Sequence, residues 1–183
     1  MNIVSLALIE SIRWVSLRTA SGDGRNLPQV FRSLASATSL AEAESAYWNI
    51  DNEVIVQGEI YEAAEAALEI ALSMSSTVPP GPVRKCLAEL IQQIVFSQPH
   101  SSEVKEGNRE IIARCLSLAA EATWVFYGWL SDLDQDVREC ALLTLHRVEN
   151  NDARKSTVFA RYRECDKSRG VQKIFLQIDK GVL

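Results

Sequence analysis

Residues 82–97 read PVRKCLAELIQQIVFS, and their spacing decides the fold. Val83, Cys86, Leu87, Leu90, Ile91, Ile94 and Val95 follow the i, i+3, i+4, i+7, i+8, i+11, i+12 series that lines one face of an α-helix. Pro79, Pro80 and Gly81 stop whatever precedes them, and Pro82 suits a first helical turn, where its missing N–H has no partner to lose. A helix from about Pro82 to Ser97 is expected. Burying seven such side chains is worth roughly 10–20 kcal/mol at about 1.5–3 each. A lone helix in water cannot realise that gain, so neighbours must cover it.

The flanking sequence has the same grammar. Ile60, Ala64, Ala67, Leu68, Ala71 and Leu72 repeat at helical spacing after Gly58, with Glu59, Glu62, Glu65 and Glu69 opposite, which predicts a helix from about Glu59 to Met74. Ser39 is a plausible N-cap for a segment carrying Leu40, Ala43, Tyr47 and Ile50 and running toward Val56, where the β-branched Val54, Ile55 and Val56 blur its end. Pro28 opens a short helix around Val30, Phe31 and Leu34. Before it, Ile3 to Ala20 reads as one helix with Leu6, Ile9, Ile12 or Arg13, and Val15 inward, closed by Ser21-Gly22-Asp23-Gly24.

Downstream, Val104 to Trp129 reads as one long helix or two. Asp134 is a good N-cap for a helix carrying Val137, Ala141, Leu142, Leu145 and Val148. A basic helix through Val158, Phe159 and Tyr162 follows, and a last one holds Val171, Ile174, Phe175 and Ile178. No stretch alternates strictly enough to predict a sheet. The expectation is a single all-α domain over residues 1–183 with about eight helices. Val83-Arg84 before Leu87 and Ile91, and Val137-Arg138 before Ala141 and Leu145, repeat a local pattern that suits stacked antiparallel pairs in an α-solenoid. A closed helical bundle has the same periodicity and stays open.

The 183 residues are 47% hydrophobic and 23% charged, enough for a sizeable core and too apolar for disorder. The apolar runs are broken by charge within about ten residues, so no membrane span or secretory signal is expected and a cytoplasmic location follows. The four cysteines stand far apart without a CxxC pair and read as small apolar residues, and His100 and His146 lie 46 positions apart. Phosphate-loop, HExxH and GxSxG motifs are missing, so neither a catalytic residue, a metal site nor a cofactor is expected.

Charge carries more information. The net charge of −5 weighs against a nucleic-acid coat and favours a basic partner. From Ser33 to Val83 there is no Lys or Arg, while Glu42, Glu44, Asp51, Glu53, Glu59, Glu62, Glu65 and Glu69 give a local charge of −8. Residues 150–183 hold eight bases against four acids. The acids have no basic residue at i+4, so they repel one another and gain nothing for their own helices. A carboxylate wall meeting a basic protein surface is the expectation, with Trp48 as an aromatic anchor: Tyr47 and Trp48 are adjacent and cannot face the same neighbour, and Trp48 is expected to be the more exposed.

Leu130-Ser131-Asp132-Leu133-Asp134-Gln135-Asp136-Val137-Arg138, followed by Ala141 and Leu145, resembles the end of one HEAT helix, its acidic turn and the Val-Arg start of the next. Trp14, Leu17, Asn26-Leu27-Pro28, Phe31 and Leu34, then Gln57-Gly58-Glu59-Ile60-Tyr61-Glu62-Ala63-Ala64, look like the opening of bacterial HEAT-like proteins. The resemblance covers residues 11–148; the two Val-Arg positions are 54 residues apart, longer than a usual HEAT period. It implies a right-handed superhelix of helix pairs. Some small members of that kind are immunity proteins that neutralise a toxin delivered between competing bacteria, as in contact-dependent growth inhibition. The resemblance therefore implies a non-enzymatic inhibitor of a cognate toxin domain, such as a nuclease, whose carboxylates would stand where phosphates sit. A general HEAT-like scaffold and a HEAT-like nucleic-acid binder are the alternatives.

Overall fold

The computed structural model describes residues 2–183. The chain is all-α apart from two-residue ladders. It begins with α1 (Ile3–Ser11), a single 3₁₀ turn (Trp14–Ser16) and the short strands β1 (Arg18–Thr19) and β2 (Gly22–Asp23). Then come α2 (Leu27–Ser36), α3 (Leu40–Val54), β3 (Ile55–Val56), β4 (Glu59–Ile60), α4 (Ala63–Ser75) and α5 (Pro82–Phe96). The remainder is β5 (Gln98–Pro99), α6 (Ser101–Lys105), α7 (Ile111–Glu121), α8 (Thr123–Trp129), α9 (Gln135–Val148), α10 (Asp152–Cys165) and α11 (Arg169–Asp179).

The 82–97 stretch forms its helix where the spacing puts it. Gly81 takes a φ of +146°, open to glycine, and hands the chain to Pro82 at the helix start. Cys86, Leu87, Leu90, Ile91, Ile94 and Val95 are all buried, and α3, α4, α7 and α9 pack around them. Asp134 caps α9 by accepting the Asp136 N–H at 2.8 Å. Ser39 caps α3, accepting the Glu42 N–H at 3.3 Å, while the Glu42 carboxylate accepts the Thr38 N–H at 2.8 Å. One row of helices runs α2, α3, α5, α9, α11, each packed on the next. Behind it α1 packs on α4 and α4 on α7, with α8 against α9.

The structure departs from the sequence reading at four places. Ile3 to Ala20 is not one helix: the Trp14 indole donates to the Ile9 carbonyl at 2.8 Å and its ring packs on Phe31, which turns the chain under α1. Ile9 is buried as expected, but Leu6 and Val15 are exposed. The helix expected from Glu59 starts at Ala63, because Gln57 and Gly58, with φ of +53° and +78°, make a two-residue turn pairing Ile55-Val56 with Glu59-Ile60. Glu59-Ile60 pairs in turn with Gln98-Pro99. Ladders this short leave no alternation to read, which is why no strand was expected. Finally, Val104 to Trp129 is three helices, broken at Gly107 (φ +82°) and at Ala122, so the described residues hold eleven helices rather than about eight.

Cys86 and Cys115 are buried, Cys140 is half-buried and Cys165 is exposed. Burial pushes the Cys86 thiol up to about 11 and that of Cys115 up to about 12.

Truncating the centre of α5 with Leu87→Ala should cost about 2–5 kcal/mol, because four neighbouring helices cannot all close on the void. The check is the urea midpoint; an unchanged midpoint would show that α5 is not the keystone.

Candidate functional site

The eight acids between Ser33 and Val83 do not form one wall. Arg18, on β1, reaches Glu62 with its guanidinium at 3.1 Å and its backbone N–H at 3.2 Å. Arg114, on α7, holds Glu65 at 2.8 Å. Glu59 accepts from the Gln98 side chain at 3.3 Å, with the His100 ring nitrogen 3.8 Å away. The Ser21 hydroxyl donates to Glu53 at 2.7 Å, and Glu42 is spent on the start of α3. Glu69 is half-buried on α4, and among the described residues no ion pair reaches it. The expectation of an unneutralised Glu59, Glu62, Glu65, Glu69 ridge is corrected at Glu62 and Glu65, which Arg18 and Arg114 neutralise. An i+4 criterion sees only partners on the same helix, and these arginines arrive from 44 and 49 positions away.

Arg18 has a second partner that sequence reading missed. Glu103 on α6 is 0% exposed and takes Arg18 through Nε at 3.0 Å and Nη2 at 2.7 Å, with the Asn108 amide donating at 2.8 Å. Burial alone would raise the Glu103 pKa, but the hydrogen bonds from Arg18 and Asn108 hold it below the ordinary range. At a separation of 85 positions, no local signal announces the pair.

Besides Glu69 on α4, carboxylates unpaired among the described residues lie on α3, at Glu44 and Asp51, and on α5, at Glu89. Trp48 is 51% exposed and Tyr47 is 2%, their rings edge-on at 4.9 Å. Glu44 lies one turn before Trp48 and is exposed. Asp51 is only 8% exposed, and its Oδ1 has no hydrogen-bond partner. The Tyr47 hydroxyl accepts the Gln93 amide at 2.7 Å and lies beside both Asp51 and Glu89. Burial, then the negative charge of Glu89, push the Asp51 carboxyl up, against an opposing hydrogen bond from Tyr47. Lys85, one turn before Glu89, is turned to Asp136 on α9. Among the described residues no ion pair reaches Glu44, Asp51 or Glu89. On the other side of Trp48, α2 and α3 enclose an open groove of about 760 Å³ lined by Gln29, Ser33, Ala37, Ala41, Ser45 and Asn49.

The C-terminal bases are differently placed. Arg138 pairs with Asp166 at 2.8 Å, Arg163 with Asp179 at 2.8 Å and Arg161 with Glu164 at 3.2 Å. Arg154 holds the buried Glu149 at 2.7 Å and lies over Trp124, which is 68% exposed. His100 stacks on Tyr61 with centroids 4.6 Å apart, and burial followed by the charge of Lys155 lowers the His146 pKa. Among the described residues there is no group of three or more His, Cys, Asp or Glu placed to hold a metal ion, and no helix long and apolar enough to cross a membrane.

No protein-family model, no curated protein and no solved structure matches this chain.

Arg18→Ala leaves Glu103 charged and buried, and should cost about 2 kcal/mol at neutral pH after allowance for the partial exposure of the arginine. The Glu103 pKa is depressed in the folded state, so this pair stabilises above the ordinary carboxylate range and its contribution fades as pH falls through the folded value. Urea melts of both proteins should therefore converge in acid. Asp51 has the opposite sign: its raised folded pKa makes the ionised form a penalty at neutral pH. Asp51→Asn should stabilise by about 1 kcal/mol near pH 7 and lose that advantage on acidification toward about pH 4. Equal midpoints near neutrality would contradict the burial of an uncompensated charge.

Proposed function

We propose that this chain is a non-enzymatic protein-binding module of the HEAT-like kind, and more specifically a bacterial immunity protein that acts in the cytoplasm by covering the basic surface of a cognate toxin domain, a nuclease among the candidates. The observation that carries the reading is the α3–α5 face, where among the described residues no ion pair reaches Glu44, Asp51 or Glu89 beside the half-exposed Trp48. A protein that keeps carboxylates uncompensated forgoes stability, and a positively charged partner restores the balance on binding. Of the residues expected from sequence, Glu44, Trp48 and Asp51 remain in this interface. Glu42, Glu53, Glu59, Glu62 and Glu65 have partners inside the molecule.

The row α2, α3, α5, α9, α11 backed by α1, α4 and α7 supports a stack of helix pairs, since each member packs on its neighbour, and the HEAT-like resemblance makes that stack a right-handed superhelix. A scaffold or adaptor would use the same surface for a larger assembly. Nucleic acid is the weaker fit, because Arg138, Arg154, Arg161 and Arg163 are engaged by acids of the same chain.

The tagged chain purified from its native cell should bring down a basic toxin domain, and co-expression should abolish that domain's toxicity. Glu44→Gln with Glu89→Gln should slow association about tenfold at low salt and flatten its dependence on ionic strength, read by stopped-flow fluorescence. A multi-component assembly without a toxin, or an association rate indifferent to both changes, overturns the reading.

A further inference from the structure

The geometry points to Asp51 and Glu89, floored by Tyr47 and Gln93, as a seat for one arginine side chain of a basic protein partner. The inference rests on the reading of the α3–α5 face as an interface and names the group that anchors it. Asp51 comes from α3 and Glu89 from α5, two helices that pack on each other, and the Tyr47 hydroxyl lies beside both carboxylates. Asp51 is more than nine-tenths buried, yet its Oδ1 has no donor, although buried acceptors are almost always satisfied. The floor is fixed: Tyr47 is 2% exposed and its hydroxyl is pinned by Gln93 at 2.7 Å. Lys85 could have filled the site from one turn away on α5 and is instead turned to Asp136.

The shape of the site selects among cations. A metal ion finds no third ligand, for among the described residues no group of three His, Cys, Asp or Glu is assembled. An ammonium is a compact point charge that keeps its water. A guanidinium is planar, stays charged, sheds water more readily, and donates in several directions within one plane, so it can serve two carboxylates at once. It also stacks on aromatic faces, and Trp48 stands exposed at the rim, its ring 4.9 Å from that of Tyr47.

The test titrates the full ¹⁵N-labelled chain with N-acetyl-arginine amide near pH 7 and follows the Gln93 side-chain amide and the Trp48 indole by NMR. Saturable shifts at both are expected in the millimolar range, at least about fivefold weaker for N-acetyl-lysine amide. Asp51→Asn and Glu89→Gln should each weaken the arginine probe about tenfold, and Glu69→Gln should leave it unchanged. Neither exchange alters side-chain size, and urea melts of the variants report that they are folded. Absent or non-saturating shifts, equal binding of the lysine probe, or binding indifferent to Asp51→Asn overturns the seat. If the seat fails while Glu44→Gln with Trp48→Ala still slows partner association, the interface reading stands without it. If the arginine probe binds as expected but the partner ignores those two changes, the seat stands and the interface reading falls.

Discussion

The apolar flank of α5 must be kept dry on every side, and the rest of the fold is arranged to do so. Cys86, Leu87, Leu90, Ile91, Ile94 and Val95 are almost wholly removed from solvent, which takes four helices, α3, α4, α7 and α9. What α5 leaves to water is a narrow strip containing Lys85, Glu89, Gln93 and Phe96. Because α3 lies along one edge of that strip, Tyr47 and Asp51 are drawn against Glu89 and Gln93. The polar cluster is thus a by-product of burial: covering leucines and isoleucines from both sides brings like charges together, and Lys85 of the strip forms its ion pair with Asp136 instead.

Charge balance follows a different logic in each half of the acidic region. On α4 and the hairpin before it, the cations come from far away in the chain. Arg18 serves Glu62 and Glu103 together, and Arg114 serves Glu65. The Arg18 bonds fasten the irregular N-terminal segment to the start of α4 and to α6, the Arg114 bond ties α7 to α4, and together they convert a local surplus of acid into tertiary structure. Glu149, similarly buried, is satisfied by Arg154, Tyr127 and a backbone N–H, which hold its carboxyl down to about 2. Against that background the unanswered Oδ1 of Asp51 stands apart, since the chain elsewhere supplies a donor for each buried carboxylate described above.

The strongly periodic segments were legible. α5 and α9 begin where Pro82 and Asp134 put them, and Trp48 is exposed while Tyr47 is buried, as their adjacency on a helix requires. Three kinds of feature were hidden, each for a physical reason. The apolar residues of α1 are spread around the helix, so no stripe told which side faces inward, and it ends where Ile12 turns extended and the Trp14 indole donates to the Ile9 carbonyl. Ile60 falls at helical spacing from Ala64 and Ala67 although it pairs as a strand, so periodicity alone carried the helix start back to Glu59. The ion pairs of Arg18 and Arg114 depend on contacts that exist only once the helices have packed. Of the site, Glu44, Trp48 and Asp51 were legible as charge and aromatic character; Glu89 was not, because it lies beyond the cation-free stretch that ends at Val83.

The placement of the sulfur atoms has a practical consequence. Cys165 is in water, whereas Cys86 sits in α5 and Cys115 in α7, with thiols held at about 11 and about 12. Only the thiolate reacts with an alkylating reagent. Labelling should therefore run on two clocks, a prompt one at the C-terminal end and slow ones that advance only when the interior breathes. The chain carries its own recorder of how often its central helices come apart.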